Sequence, residues 1–285
     1  MIGGLRSRLL DRLVLRPTRH RITPEIGDLI ELPPRPGDRG PALSSLRIAA
    51  AGGPVARTIV CKFPGNAGRA ERSSAFPGPA LGREPTVVWT WNPPGYGQSG
   101  GRASMAAMPP AAIEWVGRVV DWERQNRSVD PNQFRLILCG NSIGCCAALA
   151  AASSSENGWR DRIDGIILRN PPALGPVIRR VALRYPMGPR LVGWLLQALP
   201  ETMDATRTIG RVDPPVVWIA SQCDTLVPID LQRRIIDSHP GRVVAVLLEG
   251  AGHNDVPTAD HRRHIDEAIE RLFGHPPSKI SEPDD

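Results

Sequence analysis

A chain of 285 residues fits one large α/β domain better than two ordinary ones, because open α/β sheets run to this size around a single core. Its 41% hydrophobic content is ordinary for a globular protein, and no run approaches the roughly 20 consecutive apolar residues needed to span a bilayer as a helix. The formal charge of +6 does not argue for nucleic acid as a partner: Lys62 and Lys279 are the only lysines, and arginine is scattered along the chain rather than gathered into one footprint.

Only residues 1–21 cluster basic groups, with arginine at positions 6, 8, 12, 16, 19 and 21 against one acid, Asp11. Leu5, Leu9 and Leu13 fall on one helical face, with Ile2 nearby, and Pro17 ends the helix. The expectation is a basic terminal helix packed on its own domain, or a tail. The alternative is a helix laid through residues 1–16 on an anionic membrane surface, for which one short helix is a weak anchor. No secretory signal is expected, since no apolar core of about 7–15 residues follows the basic start.

Residues 22–56 are rich in Pro, Gly and Arg, with weak strand signals at Asp28–Leu32 and Leu46–Ala50; they read as an antiparallel edge hairpin. Beyond them, short β-branched runs recur at Arg57–Phe63, Thr86–Trp91, Phe134–Cys139, Asp164–Leu168, Pro215–Ala220 and Arg242–Leu248. Amphipathic helical stretches at Pro110–Arg127, Ser142–Ser153, Ile229–Ser238 and Pro257–Phe273 separate several of them. Alternating strands and helices predict a mostly parallel, doubly wound sheet within residues 22–274, with helices on both faces. Apolar runs such as Val-Val-Trp-Ile-Ala fit strands buried on both sides. Residues 171–211 interrupt the alternation with helical content at Val177–Arg184 and Arg190–Leu199, and read as a small helical cap. Trp194, Leu195, Leu196 and Leu199 are candidates for an apolar substrate lining there; packing of the cap onto the sheet accounts for them equally well. Residues 275–285 are polar and contain proline, so they are expected to be a disordered tail.

In an open α/β sheet, ligands bind beyond the carboxyl ends of the strands. A catalytic residue should therefore lie just after a strand. Gly140-Asn141-Ser142-Ile143-Gly144 follows one strand and opens an Ala-rich helix, the context that G-x-S-x-G requires for an exposed nucleophile. The bland role for Ser142 is a helix cap. Asp224 follows a later strand, whereas Asp213 precedes it. His253 follows the last strand, whereas His239 precedes it; His261 and His264 sit on a surface helix, and His20 and His275 lie in the termini. The chain order Ser142, Asp224, His253 is that of a nucleophile, an orienting acid and a base. Two backbone donors should form an oxyanion hole: the amide of Ile143, at the helix start, and that of Asn66, in Phe63-Pro64-Gly65-Asn66-Ala67-Gly68 after an earlier strand.

The five cysteines, Cys61, Cys139, Cys145, Cys146 and Cys223, have neither disulfide nor zinc spacing. They read as buried thiols in a reducing compartment, with the cytoplasm as the default. Neither clustered His/Cys ligands nor a Gly-x-Gly-x-x-Gly opening a helix is present, so no metal or organic cofactor is implied.

These motifs resemble the α/β-hydrolase superfamily over nearly the whole chain from about residue 45. Phe63–Ala67 is similar to the family's His-Gly-Asn-Ala oxyanion loop, with Pro64 in place of its histidine. Asn92-Pro93-Pro94-Gly95-Tyr96-Gly97-Gln98-Ser99-Gly100-Gly101 resembles its Pro-Gly-Tyr-Gly-x-Ser loop, in which Ser99 is structural rather than a second nucleophile. Cys223–Pro228 and Gly252–Asp255 resemble its acid and histidine turns. The nearest branch is the one with monoacylglycerol lipases, serine-aminopeptidase-like hydrolases and depalmitoylating thioesterases. The resemblance implies a serine hydrolase acting on a small-molecule acyl ester or thioester. An amidase, peptidase or acyltransferase on the same three residues, and a non-catalytic binding protein on the inherited fold, are the alternatives. Oligomeric state is not legible.

Overall fold

The computed structural model describes residues 2–49, 55–82, 84–126, 128–130, 133–154, 158–183 and 188–274. The expected tail, 275–285, lies outside the described residues, as do residues 184–187 of the expected cap.

Eight strands form one sheet: β1 (Asp28–Leu32), β2 (Leu43–Ala49), β3 (Thr58–Phe63), β4 (Thr86–Trp91), β5 (Arg135–Asn141), β6 (Ile163–Arg169), β7 (Val216–Ser221) and β8 (Val243–Leu248). Their spatial order is β1-β2-β4-β3-β5-β6-β7-β8. The edge hairpin is present: β2 runs antiparallel to both β1 and β4, and every pairing from β4 to β8 is parallel.

The period-two alternation of the strands sorts the core into two layers. Ile59, Cys61 and Phe63 of β3 and Leu136 and Leu138 of β5 face one side, where α2 (Met108–Gln125), α3 (Ile143–Ser153) and α7 (Ile229–Ile236) contribute to the same cluster. Val60 and Ile137 face the other, covered by α8 (Ala259–Phe273). The central helix α3 is buried from Ile143 to Ala152, which its small side chains permit against a sheet on one side and α2 on the other. Helix α8 instead buries the stripe Ile265, Ala268, Ile269 and Phe273, the spacing of one helical face. Phe273 occupies the space that a side chain on Gly165 of β6 would need. Phe63, at the end of β3, packs edge-on against Trp91 and Trp115 at 5.4 and 5.2 Å between ring centroids. This cluster seats the loop that follows β3, each fully buried aromatic contributing on the order of 2–3 kcal/mol.

The N-terminal helix α1 (Ile2–Val14) packs on a face that takes in only Leu13 of the expected stripe Leu5, Leu9 and Leu13. Leu5 and Leu9 are exposed, while Leu10, Asp11 and Leu15 are buried. Asp11 Oδ1 accepts the amide of Met105 at 2.8 Å, so the face is chosen by a polar partner far along the chain as well as by leucine spacing.

Between β6 and β7 the chain makes α4 (Leu174–Ala182), α5 (Pro189–Leu196) and α6 (Ala205–Thr208). The latter part of this stretch is core: Met203, Ala205 and Ile209 are fully buried. No helix among the described residues is long and apolar enough to cross a membrane.

Candidate active site

The turn between β5 and α3 holds Ser142 at φ 51° and ψ −125°, a region that costs a non-glycine residue about 1–3 kcal/mol. Its amide donates to the Arg169 carbonyl of neighbouring β6 at 2.8 Å, and its carbonyl accepts from Cys145 N at 2.8 Å. The flanking glycines are steric necessities. A Cβ on Gly140 would lie 2.6 Å from Cys145 Cα, and one on Gly144 would run into the carbonyl oxygens of Phe63 and Pro64. The Ser142 hydroxyl makes no cap bond to α3. It faces His253 instead, with Oγ 3.0 Å from Nε2.

Beyond β7, the carboxylate of Asp224 is fully buried. Its Oδ1 accepts the amides of Leu226 and Val227 at 2.9 and 2.7 Å, and its Oδ2 lies 2.6 Å from His253 Nδ1. An ionised carboxylate can only accept, so Nδ1 carries the imidazole proton and the Nε2 lone pair is left facing the hydroxyl. The loops bearing the two residues are stitched together: Cys223 N donates to Ala251 O at 2.8 Å and Gly250 N to Gln222 Oε1 at 2.9 Å. A hydroxyl, an imidazole base and a carboxylate in this sequence can pass a proton from Ser142 to His253 while the charge formed is held by Asp224. Asp213 and His239 lie together beside Gly241, before β8, away from this edge.

The loop after β3 lies directly against the serine turn. A Cβ on Gly65 would come 3.3 Å from Asn141 Nδ2 and 3.6 Å from Ser142 Cβ. A turn from Gly68 N to Gly65 O at 2.8 Å shapes it. The amides of Ile143 and Asn66 have no acceptor among the described residues, so both are available as donors.

Some parts of the site carried no signal in the sequence reading. Asn170, at φ 50°, is fully buried. Its Oδ1 accepts Ser221 N at 2.8 Å, while its Nδ2 donates to Ser221 Oγ at 3.1 Å and to the His253 carbonyl at 3.4 Å. It thereby joins the ends of β6 and β7 to the histidine loop. Its place just after β6 can be read from the sequence, but nothing local marks its side chain as a brace between loops. Beside it, burial lowers the pKa of Arg169, opposed by Asp224 and Asp255, and its Nη2 donates to the Asp255 carbonyl at 2.6 Å. The Asn66 side chain and the segment after α1 are the other unread parts. Asn66 Nδ2 donates to Val14 O at 2.5 Å, and Asn66 Oδ1 accepts Arg16 N at 3.0 Å and the Tyr96 hydroxyl at 3.2 Å.

Ser142 and His253 open into a cavity of about 390 Å³, walled on its apolar side by Leu13 and Val14 of α1, Leu174, Val177 and Val181 of α4, and Leu226. Trp194, Leu195 and Leu199 are not among its lining residues. Helix α5 packs sideways: Arg6 of α1 stacks over Trp194 with 5.8 Å to the ring centroid, Leu195 is buried, and Leu199 packs against the main core. The preceding helix, α4, takes the place at the cavity.

Four of the cysteines are buried, and burial pushes their thiol pKa values up, that of Cys139 to about 11. Cys223 is the correction: it is exposed, because the turn that directs Asp224 inward turns its neighbour outward. Ser99 is buried and engaged, donating to Asn92 O at 2.6 Å and accepting Ser44 N at 2.9 Å. Among the described residues no group of His, Cys, Asp and Glu is arranged to hold a metal ion.

No family model matches the chain. It is 31% identical over 230 residues to the Mycobacterium tuberculosis H37Rv protein called "Uncharacterized protein Rv2307c", covering 78% of this chain and 71% of that one. Among solved structures it is similar to the Pyrococcus furiosus esterase Pf2001, with a TM-score of 0.61 at 17% identity over 91% of this chain and 97% of that chain. Acetyl xylan esterase 1 from Thermoanaerobacterium superposes with a TM-score of 0.60 at 12% identity, over 95% and 93% of the two chains. An acylaminoacyl peptidase matches with a TM-score of 0.60 at 14% identity, over 90% of this chain and 43% of that one.

Proposed function

We propose that this chain, which belongs to the same family as the mycobacterial relative and has the α/β-hydrolase fold of the solved esterases, is a serine hydrolase cleaving a carboxylic ester or thioester of a small molecule. The observation that carries the reading is the strained Ser142, whose hydroxyl caps no helix and lies 3.0 Å from His253 Nε2. His253 takes the hydroxyl proton as Oγ attacks the substrate carbonyl carbon, and the carbonyl electron pair moves onto oxygen. Asp224 stabilises the imidazolium. The amides of Ile143 and Asn66 donate hydrogen bonds to the oxyanion, a contribution of about 3–4 kcal/mol for a well-aimed donor. Collapse expels the alcohol or thiol, which takes the proton from His253 and leaves the acyl group on Ser142. Water then attacks, again giving a proton to His253, and the carboxylic acid departs as Ser142 recovers its hydrogen.

The cavity wall formed by Leu13, Val14, Val177 and Val181 suits an apolar acyl group, with α4 as the part of the 171–211 cap that meets it. The test is labelling of the purified protein with a fluorophosphonate, parent against Ser142→Ala. Labelling of the parent that vanishes in the variant is the expected result. A folded parent that stays unlabelled, or a variant that labels equally, would overturn the proposal.

A further inference from the structure

We propose that the side chain of Asn66 is a positioning residue, which aims the oxyanion loop by clasping the backbone at the end of α1. The inference rests on the hydrolase reading above and concerns a different part of the site from the three reacting side chains.

Residues 64–68 are Pro, Gly, Asn, Ala and Gly, so Asn66 is the only member with polar side-chain atoms. A loop flanked by two glycines has wide conformational freedom, and a hydrogen-bond donor contributes to oxyanion stabilisation only when held on target. Pro64 offers no side-chain bond. The Asn66 carboxamide supplies the restraint. Its Nδ2 donates to Val14 O and its Oδ1 accepts Arg16 N, at 2.5 and 3.0 Å, a two-point pairing with the chain two residues apart; Tyr96 Oη adds a third bond at 3.2 Å. The backbone amide assigned to the oxyanion hole hangs on the same Cα as this side chain, so pinning one restricts the other.

The anchor is itself firmly held. On one side Leu10 and Leu15 are buried and Asp11 accepts Met105 N. On the other, Thr18 O accepts Gly97 N at 2.8 Å. Arg69 donates to Thr18 O and His20 O at 3.1 Å each. Arg69 is held in turn by Glu71, 2.6 Å away, with both side chains about 1% exposed. Burial would raise the Glu71 pKa, but the bonds from Arg69 and Asn92 hold it below the usual carboxylate range. The segment after α1 is thus a fixed rail to which the loop is tied.

The test compares the parent, Asn66→Ala and Asn66→Asp with a water-soluble aryl ester and with an alkylboronate, which forms a tetrahedral anion on the serine. Asn66→Asp keeps acceptors for Arg16 N and Tyr96 but sets an oxygen against the Val14 carbonyl. The expected result is a kcat lower by roughly 10–100-fold in each variant, short of the loss of a whole oxyanion donor. KM should stay within about 2-fold, and boronate affinity should fall in step with kcat. A stabilising role alone would lower the melting temperature and leave these ratios alone. Parental kcat and boronate affinity in a folded variant overturn the proposal, as does a raised KM with kcat unchanged. Should Asn66→Ala not fold, Asn66→Asp and Tyr96→Phe are read by the same two ratios, a few-fold kcat loss being expected for Tyr96→Phe. A parent that fails to label at Ser142 sinks the hydrolase reading itself; a labelled parent with an indifferent Asn66 sinks only this inference.

Discussion

The Ser142 amide reaches across from the end of β5 to the Arg169 carbonyl of β6 at 2.8 Å, and this bond helps hold the serine in its positive-φ turn. The strain is therefore stored by the sheet. Ser142→Gly is expected to raise stability by about 1 kcal/mol, since glycine tolerates that region, while Ser142→Ala stays near the parent. Both should lose on the order of 10⁴–10⁶-fold in turnover. Denaturant titration beside an esterase assay reads both. A parental rate in either variant would remove Ser142 from the chemistry.

Asp224→Asn tests the imidazole tautomer. The amide oxygen can still accept from Leu226 and Val227, whose bonds to Oδ1 are 2.9 and 2.7 Å. The NH₂ then faces His253 and favours the proton on Nε2, where it cannot accept one from serine. The expected loss in kcat is about 10⁴-fold with the fold intact. A loss under tenfold would mean that Asp224 does not set the tautomer.

The cavity wall makes a selectivity test. Val177→Trp, filling space beneath α4, should shift the preferred acyl chain toward shorter lengths and cut kcat/KM for long chains at least tenfold. Trp194→Ala, on the neighbouring helix outside the lining, should leave the chain-length profile unchanged. A profile that moves with Trp194 and ignores Val177 would return the pocket to α5.

Lys62 gives a pH-dependent test. Burial lowers its pKa from 10.5 to about 8, and its Nζ donates to Ser74 O at 2.9 Å. Below pH 8 the lysine is charged in both folded and unfolded chains, and the folded state bears the full desolvation cost. Between pH 8 and 10.5 the folded chain sheds the proton while the unfolded chain keeps it. Above that window both are neutral and the cost is gone. Lys62→Met should therefore stabilise the protein at pH 7, by on the order of 1 kcal/mol, because Lys62 is only half-buried and solvent reaches its ammonium group. The gain should shrink across that window. A gain independent of pH would mean that it comes from packing alone.

Much of the fold was legible because local chemistry and topology agree. Strands such as β4 and β7 are near-continuous apolar runs, as burial on both faces favours. The glycines around Ser142 could be read because the turn leaves no room for Cβ atoms. What was not legible depends on partners remote in sequence. Leucine spacing in α1 suggests a face through Leu5, Leu9 and Leu13, but Met105 and the main core select Leu10, Asp11 and Leu13, with Leu15 just beyond the helix. The lining of the cavity by α4 in place of α5 is likewise a matter of helix placement, which composition does not encode. Asn170 was missed because an asparagine that braces three loops looks, in sequence, like any residue before two prolines.

The contacts of α1 and the segment after it also bear on how the molecule assembles. Arg16 meets Asn66 across 50 positions, Asp11 meets Met105 across 94, and Arg6 reaches Gln197 across 191 at 2.7 Å. Closing loops of that length gains nothing until both ends are in place, so such contacts are expected to form late in folding. One wall of the reaction chamber is consequently held by contacts between the start of the chain and residues far along it. The bonds that seat Ser142 in its turn come from β6 and α3, so completion of that wall is expected to be separable from formation of the serine turn.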